Sequence, residues 1–405
     1  MGYDDDILIA GGGLNGVSMA LALASVGFAV TLVEPKPARE RADPGFDGRG
    51  YALAISSMRV LAALGVWDRL TEVQPILNIK VTDGRAGEGP SPLMLAFDHA
   101  EIEEGPMGYM VEDRHLRPAL LDAAAEGPIT QLDDSVIGEA ADAAGITVSL
   151  ASGKTRRARL LIACDGRDSQ IAARAGIKRT GWGYGQTALV AAVAHEKPHH
   201  GTAHQFFMPS GPLAILPITG NRASIVWTET TERAEAIQAL DDTAYLAELR
   251  PRFGSFLGEI SLAGARFTYP LRLSLAESFT AERIALVGDA AHVVHPIAGQ
   301  GLNAGLKDVA ALAEVLTDAR RRGEDFGRID VIERYASWRR FDTATLAMAT
   351  DTFNKLFSND NPLLRGLRDL GLGVTNALPG LRRNLIREAA GLTGDLPRLA
   401  QGKPL

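Results

Sequence analysis

The chain has 405 residues, more than one hydrophobic core usually organises, so two intertwined domains are expected. Hydrophobic residues make up 46% and charged residues 22%, the range of a globular enzyme, while a net charge of −7 argues against nucleic acid as the main partner. The single cysteine, Cys164, rules out an internal disulfide; with no signal peptide or membrane-length apolar run, a reducing, cytoplasmic setting is expected.

Ile7 to Ala10 is a continuous apolar run of the kind buried on both faces of a parallel sheet. Gly11-Gly12-Gly13-Leu14-Asn15-Gly16 follows, and Leu14, Val17, Leu21 and Ala24 then recur at helical spacing to about Val26. Ala29 to Glu34 is a second strand, ended by Pro35. This βαβ unit has a mechanical logic. Gly11 permits the tight turn, Gly13 lets the backbone approach a pyrophosphate, and Gly16 lets helix and strand pack. The helix N-terminus offers N–H groups to phosphates. Glu34 stands where an acid binds the ribose hydroxyls of an adenosine, and it would repel a 2′-phosphate. The site therefore suits FAD or NAD rather than NADP.

Ser56-Ser57 starts a further helix and reads as its N-cap. Residues 76–105 and 180–275 carry β-like patterns, clearest in Gln186–Val193, Leu213–Pro217 and Ala223–Trp227. Leu160 to Cys164 is another buried-type strand, closed by Asp165-Gly166; Ile284 to Val287 is a third, closed by Gly288-Asp289. Ligands of doubly wound sheets bind beyond such carboxyl ends. His292 through Asn303 then leads into a helix with Leu302, Leu306, Val309, Ala310, Ala313 and Leu316 on one face. A glycine-rich helix entry carries positive partial charge, suited to the anionic edge of a reduced isoalloxazine. The expected fold is α/β: a doubly wound, Rossmann-like FAD-binding domain (1–75, 106–179 and 276–345), an inserted, mostly antiparallel substrate-binding sheet (76–105 and 180–275) and a C-terminal helical region (346–405). His292 and His295, and the adjacent His199 and His200, lack the further ligands of a metal site, so no metal is expected.

The run from Gly288-Asp289-Ala290-Ala291-His292 through His295-Pro296-Ile297-Ala298-Gly299-Gln300-Gly301-Leu302-Asn303 to Gly305-Leu306-Lys307-Asp308 resembles that of the class A flavoprotein aromatic hydroxylases. Within that group it is most similar to the ubiquinone-biosynthesis hydroxylases of the 2-polyprenylphenol hydroxylase type. Trp182 to Gln186, Gly211 to Pro217, Tyr269-Pro270-Leu271, Leu356 to Asn359 and Leu396 to Gly402 fit the same pattern, so the likeness covers nearly the whole chain. It implies non-covalent FAD with NAD(P)H as co-substrate. It also implies that Asp289 binds the ribityl chain, that Pro296 belongs to the cofactor site, and that Gly299 through Asn303, with Gly301 and Leu302 among them, face the isoalloxazine. Arg49 would lie on the path of the moving flavin, Arg114 near the diphosphate, and Asp165 and Gly166 against FAD and NAD(P)H. Arg49 and Pro296 are the candidate catalytic residues of a reaction carried by the flavin. Two positions depart from the family: Ala172, with Arg174 beyond it, stands where an arginine is usual, and Gln205-Phe206-Phe207 replaces Glu-Arg-Phe.

The implied activity is hydroxylation of a polyprenylated phenol by O2, through a C4a-hydroperoxyflavin. Phe206, Phe207, Leu216 and Pro217 would line an apolar substrate pocket. A reductase or oxidase of the same fold and a non-catalytic prenyl-binding protein are the alternatives. From Phe353 onward eight cations face four carboxylates, a net of +4, and leucines are interleaved with arginines such as Arg382, Arg383 and Arg387. That tail is expected either to dock on a membrane surface or on other ubiquinone-biosynthesis proteins, or to cap the flavin domain with its leucines.

Overall fold

The computed structural model describes residues 2–42, 45–87, 89–90, 94–295, 299–357 and 378–405. One sheet runs in the order β10 (Val136–Ala141), β11 (Ile146–Leu150), β12 (Thr155–Ala163), β1 (Asp5–Ala10), β2 (Val30–Val33), β9 (Ile129–Leu132). β20 (Ile284–Leu286) pairs with β12, and β19 (Thr280–Ala281) with β20. β20, β12, β1, β2 and β9 are mutually parallel, which explains their unbroken apolar sequences. Ile7, Leu8 and Ile9 are fully buried, as are Leu160 to Ala163. They share one core with the helices α1 (Leu14–Ser25), α8 (Gln300–Arg321) and the start of α9 (Ile329–Phe357), through Met19, Leu23, Val309, Leu312, Leu316 and Ile332. Each fully buried aliphatic side chain of this kind contributes about 1.5–3 kcal/mol.

The second sheet has the order β21 (His292–Val293), β18 (Phe267–Ala276), β13 (Arg179–His195), β16 (Arg222–Thr230), β15 (Gly211–Ile218), β14 (Thr202–Met208), β5 (Asn78–Arg85), β6 (Gly89–Pro90). β17 (Ile260–Leu262) pairs with β13 and β7 (Leu95–Asp98) with β5; among the described residues of this sheet only the β14–β5 pairing is parallel. Alternation along these strands makes two faces. Leu189, Leu213, Ile225 and Trp227 pack under α6 (Thr231–Gln238) and α7 (Asp242–Phe253). The opposite face meets the nucleotide side of the molecule: Ala192, Ala203, Leu216 and Ile218 join Ile55, Ile76 and Met110. A third small sheet, β3 (Gly50–Ala54), β8 (Gly108–Glu112), β4 (Gln74–Ile76), lies at this junction. The remaining helices are α2 (Ala38–Arg41), α3 (Ile55–Ala63), α4 (Asp113–Glu126), α5 (Gln170–Arg174) and α10 (Pro379–Ala389).

Two local expectations differ from the structure. Ser56 and Ser57 are buried in the first turn of α3, whose N-cap is Ala54, and Ser57 donates to Asn303 at 2.7 Å instead of capping the helix. α9 continues without interruption across residue 345, so the tail begins inside a long helix.

Candidate functional site

Register builds the site. Ala10 is paired with Val33 on one side and Ala163 on the other, and Ala163 with Leu286. The residues that follow these four strand ends therefore leave the sheet at one edge: Gly11 to Gly13, Glu34, Asp165-Gly166 and Gly288-Asp289. β1 lies between β2 and β12, so the chain winds away in both directions from this point, where doubly wound sheets open a crevice.

Within that crevice the glycines do different work. Gly11 has φ +102°, and a Cβ there would lie 2.3 Å from the Cys164 carbonyl oxygen. A Cβ on Gly16 would lie 1.9 Å from the Gly11 oxygen, so both positions are closed by backbone. Gly13, the N-cap of α1, is different: a Cβ there meets no described atom within 4 Å. The N-terminus of α1 has no side-chain cap and no acidic residue in its first turn, and it faces this space. Glu34 Oε2 accepts from the Gly12 N–H at 2.8 Å, fixing the loop from the next strand end. Asp165 accepts from Ile171 N–H through Oδ2, while its Oδ1, and Asn15 Oδ1, are buried without a partner. An uncapped helix dipole, open space above a glycine and orphaned acceptors suit the phosphates and hydroxyls of a dinucleotide.

The third strand end is clamped from both sides. Gly288, at φ +65°, donates its N–H to Asp308 Oδ2 at 3.0 Å, and Arg179 donates to the carbonyls of Asp289 and Ala290. No hydrogen bond from the described residues engages the Asp289 carboxylate itself, which is half-exposed. Gly299 caps α8 in the left-handed region at φ +64°, and Gly301 has open space where a side chain would be. Leu302 is partly buried against the main core.

Several anticipated contacts are not what the structure brings together. Asn303 is buried with its amide fully committed: Oδ1 accepts from Ala54 N–H at 2.9 Å and from Ser57, and Nδ2 donates to Ala52 O at 2.8 Å. It ties β3 and α3 to α8 and does not face a ligand with its side chain. Arg114 turns toward the second sheet, with Nε on Glu112 at 2.7 Å and its guanidinium over Phe46, while Glu112 also binds Arg222 of β16. Arg49 is partly exposed between Asp47 (2.6 Å) and Asp113 (3.5 Å), with Phe267 beneath it. Phe206 and Phe207 are neighbours on β14 and so point to opposite faces. Phe206, like Pro217, lies on the face backed by helices, where Phe206 packs with Leu213 and Trp227; Phe207 and Leu216 lie on the face toward the nucleotide side. The four therefore cannot line one pocket. Pro296 lies outside the described residues.

The family departures have structural counterparts. Ala172 is buried in α5, and Arg174 forks onto Glu139 at 2.7 Å, so neither reaches the crevice. Instead Arg272 meets Asp168 at 2.6 Å with Arg167 and Arg179 nearby, and Arg179 also lies near Asp165 and Asp289. Asp308, Arg339, Arg179 and Asn15 are site-forming residues to which sequence reasoning gave no role; Asn15, inside the glycine motif, and Asp308, as the last residue of the Gly305–Asp308 motif, carried the only signals. His292 is paired with Asp308 at 2.6 Å, and His295 is buried. Glu72, Glu112 and His115 do bring ligand atoms within 4.8 Å of one another, but Glu112 is already engaged by Arg114 and Arg222. Burial pushes the Cys164 thiol up, so it supplies no thiolate.

At the other end of the chain, α10 exposes Leu378, Leu381 and Leu385 and buries Ile386. Its Arg382 and Arg387 are bound by Glu101 and Glu104. The outer side of α9 exposes Phe341 (77%) and Met348 (71%). Residues 358–377, with Arg365 and Arg368, lie outside the described residues. No helix among the described residues is long and apolar enough to cross a membrane.

Residues 4–341 match the FAD binding domain family. The chain is 43% identical over 406 residues to the ubiquinone hydroxylase UbiL of Rhodospirillum rubrum, covering 99% of this chain and 93% of that protein. It is 36% identical to the 3-demethoxyubiquinol 3-hydroxylase of Escherichia coli, covering 96% and 98%. The crystal structure of p-nitrophenol 4-monooxygenase from Pseudomonas putida superposes with a TM-score of 0.79 at 18% identity, over 97% of this chain and 99% of that one, a likeness of fold. A match over most of the chain, on a crevice shaped for a dinucleotide, makes this protein a member of the FAD binding domain family and a FAD-dependent monooxygenase.

Proposed function

We propose that this enzyme hydroxylates the aromatic ring of a polyprenylated phenol in ubiquinone biosynthesis, with O2 and NAD(P)H as co-substrates. The observation that carries the reading is the convergence of Gly11 to Gly13, Glu34, Asp165-Gly166 and Asp289 on one sheet edge, with the N-terminus of α8 beyond them. FAD bound there would supply the redox chemistry by which, with two electrons from NAD(P)H, one atom of O2 enters the ring and the other leaves as water. The protein binds, orients and excludes water. The N-terminus of α1 holds the diphosphate, Glu34 the adenosine ribose and Asp289 the ribityl hydroxyls. Gly299 and Gly301 would let the N–H groups of α8 approach the flavin ring, where that helix end would favour negative charge. Arg49, held between two carboxylates, is the cation beside that ring. Arg167 and Arg272 give an anionic reductant a landing site next to Asp165-Gly166, in place of the arginine missing at position 172, while Arg179 is spent on the carbonyls of Asp289 and Ala290.

The sheet face carrying Ala192, Phe207 and Leu216 supports an apolar chamber for the prenylphenol. Gln186 and Asn354, buried and joined at 2.9 Å, give its far side an amide pair. For access to a bilayer-dissolved substrate, we infer that α10 docks on the cytoplasmic membrane surface through Leu378, Leu381 and Leu385, with Arg383 toward lipid phosphates. Two of the three arginines first assigned to that role are satisfied internally, so the leucines carry it.

Product mass tests the function. Purified protein, FAD, NADH or NADPH and a short-chain 2-prenylphenol in air should give a product heavier by one oxygen atom. A reduced product without that oxygen would establish a reductase. Tight prenylphenol binding with FAD bound and no turnover would establish a binding protein.

A further inference from the structure

Asp308 stands on α8 with its side chain fully buried and three groups upon it. Oδ2 accepts from Gly288 N–H at 3.0 Å and lies 2.6 Å from His292 Nε2; Oδ1 accepts from Arg339 Nε at 2.8 Å. Arg339, on α9, is itself buried and also binds Asp342 at 2.7 Å. Tyr335, one turn earlier on α9, donates to the carbonyl of Leu286 at 2.7 Å, where β20 ends. Arg179 holds the carbonyls of Asp289 and Ala290 from the opposite side. Two helices and one arginine thus grip the five residues that carry Asp289.

Packing alone does not call for this arrangement. A buried ion pair is replaceable by apolar side chains of similar volume at little or no cost in stability. What an apolar pair cannot do is accept the N–H of Gly288, the residue whose left-handed backbone turns the chain out of β20 and into Asp289. A binding group holds its geometry only when the shell behind it is fixed. We propose that Asp308 is a positioning residue for FAD: it captures the Gly288 N–H, Arg339 orients its carboxylate, and together they set the turn that presents Asp289 to the ribityl chain. The proposal rests on the reading that Asp289 binds FAD.

The test separates retention of FAD from stability. FAD release from diluted holoenzyme is followed by flavin fluorescence, alongside thermal unfolding. Two double variants decide it. D308L/R339M removes the charges and the acceptor together; D308N/R339M removes the charges but keeps an acceptor for Gly288. The leucine variant leaves the Gly288 N–H and His292 Nε2 without their acceptor, so it should melt several degrees lower while staying folded at the assay temperature, and it should release FAD roughly tenfold faster. The asparagine variant should release FAD close to the wild-type rate. Equal release from both overturns the proposal, whether both are slow or both fast. If the leucine variant does not fold, D308A against D308N gives the same comparison, with faster release from D308A expected and equal rates overturning the proposal. D289A keeps the two levels apart. Fast release from D289A with slow release from D308L/R339M overturns the positioning role alone, and unchanged release from D289A overturns the Asp289 assignment beneath it.

Discussion

Replacing Gly13 with alanine should empty this protein of FAD without unfolding it, whereas the same change at Gly16 should unfold it first. At Gly13 φ is −67°, within reach of any residue, and the new methyl group meets no described atom within 4 Å. Gly13 is an N-cap, where alanine costs the helix about 1 kcal/mol at most. At roughly 2–4 °C of melting temperature per kcal/mol, the apoprotein should melt only a few degrees lower. At Gly16 the methyl carbon would stand 1.9 Å from the Gly11 oxygen and 3.0 Å from its carbonyl carbon. That oxygen is backbone in the turn after β1 and cannot swing aside, so α1 must lift from the sheet. Overpacking of this kind costs about 1–3 kcal/mol or more, roughly 3–10 °C. The order reverses for the ligand. The Gly13 methyl group occupies the space a diphosphate must enter, and losing two charge-assisted N–H contacts at about 1.5–3 kcal/mol each lowers affinity by a hundredfold or more. Thermal unfolding of both apoproteins, with FAD titrations followed by flavin fluorescence, measures each effect separately. Wild-type FAD affinity in Gly13→Ala, or a lower melting temperature for it than for Gly16→Ala, would refute the reasoning.

Glu34→Arg should weaken FAD binding at least tenfold while the fold survives, because the carboxylate accepts the Gly12 N–H and, in the proposed role, would also hold the ribose; normal FAD content would reduce Glu34 to a surface acid. Burial, helped by Lys80, pushes His204 down to about 4, and burial likewise holds His295 at about 4. The unfolded chain therefore takes up these protons at higher pH than the native one, and stability should be full above about 6.5 and decline as pH falls toward 4. Melting curves of His204→Phe across that window should show a shallower decline than the wild type. Arg283 is fully buried and forks onto Asp325 at 2.8 and 2.9 Å, so Arg283→Ala should cost about 3 kcal/mol or more in denaturant unfolding, and a change under half that size would contradict the pairing. Leu381→Ser with Leu385→Ser should reduce co-sedimentation with anionic vesicles at unchanged FAD content, and undiminished binding would end the docking role of α10.

The nucleotide half of this molecule was legible in the amino-acid sequence because its signals are local. A strand buried on both faces must be apolar throughout, as Ile7 to Ala10, Leu160 to Ala163 and Ile284 to Val287 are. A turn whose next backbone atom lies 1.9 to 2.3 Å from any Cβ must be glycine, as at Gly11 and Gly16. What the sequence left undetermined is the partner of each polar group. Arg114 could reach a diphosphate or Glu112, Asn303 a flavin or the β3–α3 junction, and Arg382 a lipid phosphate or Glu101 across 281 positions. Asp308 lies twenty positions from Gly288, yet the packing of α8 against β20 makes them hydrogen-bonded neighbours. Nothing near Phe206 indicated which strand face the helices would cover, and so which of two adjacent phenylalanines would turn toward the nucleotide side. Periodicity and backbone sterics act between residues close along the chain and are written there; the pairing of charges and the choice of a buried face depend on long-range packing, which only the assembled sheets and helices decide.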